Sequence, residues 1–197
     1  SEFELTHYLK EWASTFESIA TKRKIKVELT TPAPIRLCAD IYKVERICYN
    51  LLSNALKYTG EGGSITIKAK STDETVEICI KDTGKGIAKE DIKHIFDRFY
   101  QVRNSNKDGT GIGLAIVKAF TELQGGTAKV ESEVGKGSEF TITLPKRVAG
   151  DNFQPAEETY TMNDFLDESS AVTDISTENK VSKITSDRQE DKPRVLV

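Results

Sequence analysis

Residues 45–59 read Glu-Arg-Ile-Cys-Tyr-Asn-Leu-Leu-Ser-Asn-Ala-Leu-Lys-Tyr-Thr, the end of a helix that begins beyond Asp40, a residue suited to its N-cap. Ile41, Val44, Cys48, Leu51, Leu52 and Ala55 recur at helical spacing and form its buried stripe. Asn50 and Asn54 are four apart and share one face, which Lys57 and Tyr58 extend by another turn. Buried amides cost stability unless each finds a partner. One Asn fits a satisfied core amide, whereas two with a Lys and a Tyr along one stripe favour a polar ligand. Amide oxygens suit Mg2+, and an ammonium suits a phosphate.

Around that helix the chain alternates short strands and helices. Upstream, residues 5–24 read as a helix, with Leu5, Leu9, Trp12, Ala13, Phe16 and Ile19 at helical spacing. Two β-rich runs follow, Ile25–Leu29 and Ile35–Ala39, divided by Thr31-Pro32-Ala33-Pro34. The opening Ser1-Glu2-Phe3 resembles a cloning scar. Downstream, Ser64–Lys70 and Thr75–Lys81 alternate as a hairpin, a helix runs from Lys89 to Phe99, and an apolar helix from Ile112 to Leu123 stops at Gly125-Gly126. Strands Thr127–Glu133 and Ser138–Leu144 close the domain before Pro145. This order predicts a two-layer α/β sandwich, a mixed sheet with helices on one face.

Charge marks a boundary. Residues 1–150 carry a net charge of +3 and residues 151–192 one of −7. A mildly positive domain before an acidic strip suits a nucleotide or another anion, and it lacks the concentrated basic face that nucleic acid needs. No apolar run approaches membrane-spanning length and no signal-peptide pattern opens the chain. That absence says nothing of the parent protein, because the chain looks cut at both ends; the segment itself is expected to be cytoplasmic. Cys38, Cys48 and Cys79 form no CxxC pair and read as buried reduced thiols.

Two glycine-rich segments remain. Asp82-Thr83-Gly84-Lys85-Gly86-Ile87 follows a strand directly, and its glycines allow backbone to approach a ligand closely. An Asp there can accept a hydrogen bond from an exocyclic amine, although such a loop is weak evidence alone. Gly109-Thr110-Gly111-Ile112-Gly113-Leu114 opens a helix, where free N–H groups and the helix dipole favour phosphate. It is no Walker A loop, since no Gly-Lys-Ser/Thr follows. It is no dinucleotide fingerprint either, because the polar Asn104–Asp108 cannot be the preceding strand.

The order of these pieces separates the readings. The amide-bearing helix, the DTGKG turn, the aromatic run Ile95–Tyr100, a polar loop and GTGIGLAI resemble, in sequence, the N, G1, F and G2 boxes of histidine-kinase catalytic domains of the Bergerat ATP-binding fold. The ending GGTAKVESEVGKGSEFTITLP is similar to that family's closing strands. The resemblance covers roughly residues 25–147. It implies that Asn54 binds Mg2+ bridging the phosphates of ATP, with Asn50 in support, that Lys57 meets a phosphate, and that Tyr58 lines the site. Asp82 would accept from the adenine N6 amine, with Gly84, Gly86 and Ile87 shaping the adenine wall. Gln101–Thr110 would form a mobile lid anchored by Phe96 and Phe99, with Tyr100 and Arg103 beside the nucleotide. Gly109, Thr110, Gly111, Ile112, Gly113 and Leu114 would present backbone to the phosphates. Many family members place an Arg where Gln101 stands, so the lid departs from the family pattern at that position.

Gyrase-type and MutL-type ATPases of the same fold carry a Glu where Asn50 stands, and an amide cannot serve as a general base. The resemblance thus implies transfer to a partner's histidine rather than hydrolysis. The alternatives are a nucleotide-sensing docking module and a Bergerat-type ATPase. No nucleophile is supplied within the chain, because neither His7 nor His94 lies in a phosphoacceptor motif. Residues 1–24 are expected as a link from a dimerisation and phosphoacceptor domain, 148–191 as an acidic linker, and 192–197 as the start of a receiver domain. The parent is expected to be a membrane-anchored sensor.

Overall fold

Alternation along Ser64–Leu144 sets the sheet. In the computed structural model, which describes residues 1–102 and 110–146, five strands lie in the order β2 (Lys26–Thr30), β4 (Ser64–Ser71), β5 (Thr75–Asp82), β7 (Gly137–Pro145), β6 (Thr127–Glu133). The β2–β4 pair is parallel, with Val27 opposite Ile65, and the other three pairs are antiparallel. The sheet is therefore mixed, as its sequence predicts.

Ile65, Ile67, Val76, Ile78, Ile80, Ile142 and Leu144 are buried on one face. Three helices cover that face: α1 (Leu5–Lys22), α2 (Ile41–Tyr58) and α4 (Gly113–Glu122). The opposite face is polar. There Lys70 pairs with Glu77 at 2.8 Å and Lys81 with Glu139 at 3.0 Å. Period-two patterning assigns the faces, since Ile65, Ile67 and Ala69 on β4 and Val76, Ile78 and Ile80 on β5 are buried at alternate positions, with Cys79 an additional buried residue on the other side of β5.

The α1 helix packs against β2 and α2, and Leu5, Leu9, Trp12, Phe16 and Ala20 join the same buried cluster as the sheet. The first helix is thus part of the core. Glu2–Glu4 forms a strand, β1, antiparallel to β3 (Arg36–Cys38), with Phe3 opposite Leu37. Three residues carry too little pattern for this to be read from sequence; β3 supplies the partner.

Asp40 caps α2, its side chain accepting from the Tyr42 and Lys43 N–H groups at 3.1 and 3.2 Å. The expected helix from Lys89 to Phe99 is much shorter. Only Lys89–Ile92 is helical (α3), and turns follow. Ile95 is buried and Phe96 packs edge-on against Phe140 at 6.4 Å, but the chain then reverses at Phe99, whose φ is +63°. That reversal brings the Phe99 N–H to the Gly111 carbonyl at 3.0 Å, which a continuing helix would prevent.

All three cysteines are free. Burial, with Glu45 nearby, pushes the Cys48 thiol up to about 12, and burial, with Glu139 beside it, pushes Cys79 up to about 11. Both stay protonated and unreactive at neutral pH. Cys38 is only half-buried, because it ends a strand of the two-stranded sheet rather than of the main one.

Candidate functional site

The C-terminal half of α2 is the base of the site. The Asn50 amide donates to the Arg46 carbonyl at 2.8 Å, one helical turn back, which commits its nitrogen and leaves Oδ1 pointing away from its own helix. That oxygen faces the start of α4: a methyl group built on Gly113 would lie 3.0 Å from it. Glycine at 113 is therefore a matter of clearance. The half-buried Asn54 amide makes no hydrogen bond among the described residues. Its oxygen is available to a ligand or cation.

At the end of α2 the Tyr58 carbonyl accepts from the Lys85 N–H at 3.3 Å, and Gly84 packs directly on it. A side chain at 84 would collide with that carbonyl and with Asp82 Oδ1. Two ammonium groups lie over the Tyr58 ring, Lys85 Nζ at 4.6 Å from its centroid and Lys57 Nζ at 5.3 Å, within cation–π range.

Asp82 ends β5 and is 5% exposed. Its Oδ1 accepts from the Gly84 N–H at 2.8 Å. Burial raises its carboxyl above the ordinary aspartate value, and the Gly84 and Ser138 N–H groups hold that rise back. Gly86, at φ +69°, lies against the Glu133 carbonyl, where any Cβ would clash. The Ile87 N–H donates to Ser132 Oγ at 2.8 Å, and Ser132 Oγ donates to the Gly137 carbonyl at 2.9 Å. The Gly135 N–H donates to the Lys85 carbonyl at 2.8 Å. The loop 83–87 is thus held between the end of α2 and the β6–β7 turn.

Ser132 and Ser138 were not singled out by sequence. They are cross-strand partners in the β6–β7 register, and a serine pair beside an expected ligand loop is the only signal that marks them.

Gly111 adopts φ +76°, and the α4 helix that follows has no side-chain cap. Its first-turn N–H groups have no intrahelical partners, as at any helix start, so they remain donors for an anion. Thr110 is exposed, while Ile112 and Leu114 are half-buried, Leu114 against the core. Tyr100 is half-buried and its hydroxyl donates to Asp91 Oδ1 at 2.6 Å. The Phe99 ring is 72% exposed, so of the two phenylalanines expected to anchor the lid Phe96 packs against the core, next to the buried Ile95, and Phe99 contributes its backbone instead. Arg103 and Gly109 lie outside the described residues. His7 and His94 are both on the surface, paired with Glu11 and Asp97.

Residues 39–148 match the model of the family described as histidine kinase-, DNA gyrase B- and HSP90-like ATPase. The chain belongs to that family. Within it, the sensor protein SrrB of Staphylococcus aureus is 44% identical over 110 residues, which are 54% of this chain and 19% of SrrB. The chain thus spans about a fifth of the curated relatives it matches.

Among solved members of the family, the catalytic domain of the histidine kinase ThkA superposes with a TM-score of 0.67 at 28% identity, covering 74% of this chain and 97% of that one. Full-length ShkA, solved with AMPPNP, gives 0.68 at 30% identity, covering 76% of this chain and 31% of its own. ThkA has also been solved with the response regulator TrrA, giving 0.64 at 26% identity over 75% of this chain and 42% of that one. The two-layer α/β fold is that of histidine-kinase catalytic domains, and the matched segment is an ATP-binding domain of the histidine-kinase type. Among the described residues no helix is long and apolar enough to cross a membrane.

Proposed function

We propose that this chain binds Mg-ATP and donates the γ-phosphate to a histidine on a separate dimerisation domain. One observation carries the reading: three ligand-ready segments meet along the C-terminal half of α2. Gly113 packs against Asn50, Gly84 and Lys85 against the Tyr58 carbonyl, and the buried Asp82 carboxylate lies beneath that loop.

Each residue then has a task. Asp82 Oδ2 accepts the adenine N6 amine while Oδ1 holds the Gly84 N–H. Gly84, Gly86 and Ile87 form the adenine wall, with Tyr58 beside it. The N–H groups at Gly111–Leu114 and the Lys57 ammonium receive the phosphates. Phosphoryl transfer asks for little beyond positioning and charge neutralisation. In the step, an imidazole nitrogen forms a bond to the γ-phosphorus as the bridging P–O bond breaks and ADP leaves.

The donor set suits Mg2+. Asn54 offers a free amide oxygen with Asn50 in support, and no cluster of three His, Cys, Asp or Glu occurs among the described residues. Such a site relies on substrate phosphates for most of its ligands, which is how Mg2+ is commonly held. When bound, the ion neutralises phosphate charge.

Asn50 separates transfer from hydrolysis. A neutral amide, already donating to the Arg46 carbonyl, cannot take a proton from water. By the same reading, the partners are a histidine-bearing domain and a downstream receiver, as ThkA's complex with a response regulator suggests for a relative. The site belongs on the cytoplasmic side of a membrane-anchored parent, where ATP is available.

The test mixes the purified chain with its parent's histidine-bearing domain and Mg-ATP. Acid-labile phosphohistidine on the acceptor is the expected product, and the Asn54→Ala chain should give none. Nucleotide binding without any transfer would favour the docking module. Steady phosphate release by the chain alone, lost in Asn54→Ala, would favour the ATPase.

A further inference from the structure

The carbonyls at the C-terminus of α2 are held from two sides. The Lys85 N–H takes that of Tyr58 from the ligand side. From the opposite direction in sequence comes Arg23, the C-cap of α1. Its Nη1 donates to the Leu56 carbonyl at 2.5 Å and its Nη2 to the Thr59 carbonyl at 3.0 Å. One planar fork therefore bridges the last turn of the helix that carries Lys57 and Tyr58. A cation is favoured there by the helix dipole, and an arginine spans two acceptors where a lysine reaches one.

The turn after Arg23 reinforces the joint. Lys24 adopts φ +55°, its ammonium pairs with Glu61 at 2.6 Å, its carbonyl accepts from the Gly62 N–H, and the Lys26 N–H donates to the Gly63 carbonyl. The chain leaving α1 and the chain leaving α2 are thus bound together.

We propose that Arg23 is a positioning residue for nucleotide binding: it fixes the α2 terminus, and through it the Lys57–Tyr58 and Gly84–Lys85 side of the site, and so couples that site to the end of α1. The inference rests on the nucleotide site proposed above. It differs from a purely stabilising role in a checkable way. A residue that only stabilises changes the unfolding midpoint and leaves affinity alone once the chain is folded. A positioning residue changes affinity in the fully folded chain.

The experiment is calorimetric titration of a non-hydrolysable ATP analogue with Mg2+, at a temperature where circular dichroism shows each variant folded. Arg23→Ala should bind about five- to tenfold more weakly, the low end of typical coupling between sites. Arg23→Lys, retaining the charge but not the fork, should fall between. Thr6→Val is the control for stability alone. It removes the Thr6 hydroxyl that accepts the Ile35 N–H at 2.9 Å, at the other end of α1 and about 25 Å away at 1.5 Å per residue, and should bind normally. Coupling is reciprocal, so the analogue should also slow hydrogen exchange at the Arg23–Ile25 amides, and less so in Arg23→Lys.

Unchanged affinity in the folded Arg23 variants, with Asp82→Ala still losing binding, overturns the proposal and leaves the site intact. Failure of the unmutated chain to bind overturns the site and the proposal together. Should Arg23→Ala not fold, Arg23→Lys decides by the same criteria.

Discussion

Asp82 is the only fully buried carboxylate among the described residues, and its surroundings set two opposing pH dependences. Burial lifts its folded pKa, so folding favours the protonated form. Stability from this group is fully present below the unfolded value of about 3.9 and is lost as pH rises through the raised folded value. The unfolding midpoint of the unmutated chain, minus that of Asp82→Asn, should therefore fall between about pH 3 and neutrality. Nucleotide affinity should rise over the same interval, since only the carboxylate accepts freely from an amine. Asp82→Ala should lower that affinity about ten- to a hundredfold, the range expected for a hydrogen bond to a charged group. Gly113 gives a complementary case. Its backbone is ordinary and its close neighbour is a side chain, so Gly113→Ala should keep or slightly raise thermal stability. It should still weaken binding of the ATP analogue by crowding Asn50, and unchanged affinity would contradict the placement of that pair. Spacing within one helix or loop made Asn50, Asn54, Lys57, Tyr58 and Asp82 legible in the sequence. Arg23 and Ser132 were not, because their partners are backbone groups 33 to 45 residues away.

Among the elements, α2 is the most legible, and its cap shows why. Asp40 satisfies two N–H groups, and its extended backbone is what an N-cap requires. Burial raises its carboxyl, but the Lys43 side chain and the Lys43 and Tyr42 N–H groups outweigh that and hold it below the ordinary value. A depressed folded pKa gives stability above the unfolded value that disappears as pH falls through the folded one. Asp40→Ala should thus cost about 1 kcal/mol at neutral pH, the usual value of a lost cap, and less below about pH 3. Urea unfolding at the two pH values measures the difference. The cap lies at the far end of α2 from Lys57, so affinity for nucleotide should be unchanged. The elements that escaped the sequence are those fixed by distant partners. β1 exists because β3 pairs with it, and the run after Ile92 leaves the helix because Phe96 goes inward while Phe99 turns to meet Gly111.

For the molecule as a whole, the family match and the folding unit do not coincide. The match begins at residue 39, yet the core begins at Leu5. Leu5, Leu9, Trp12 and Phe16 are each at most 5% exposed and lie against β2, α2 and the sheet. Burying a large apolar side chain stabilises by about 1.5–3 kcal/mol, so these four together contribute about 6–12 kcal/mol before entropy is counted. Whole domains are stable by about 5–15 kcal/mol. A chain beginning at Ile25 would also leave the Leu56 and Thr59 carbonyls without Arg23 and expose the apolar side of α2 that packs on α1. Deleting residues 1–24 should therefore abolish cooperative thermal unfolding, followed by near-ultraviolet circular dichroism, and with it nucleotide binding. A deletion variant that unfolds cooperatively and binds the ATP analogue normally would show that the α2–sheet core suffices. The burial of Trp12 and Phe16 in the same core as Ile67 and Ile142 argues for the opposite outcome.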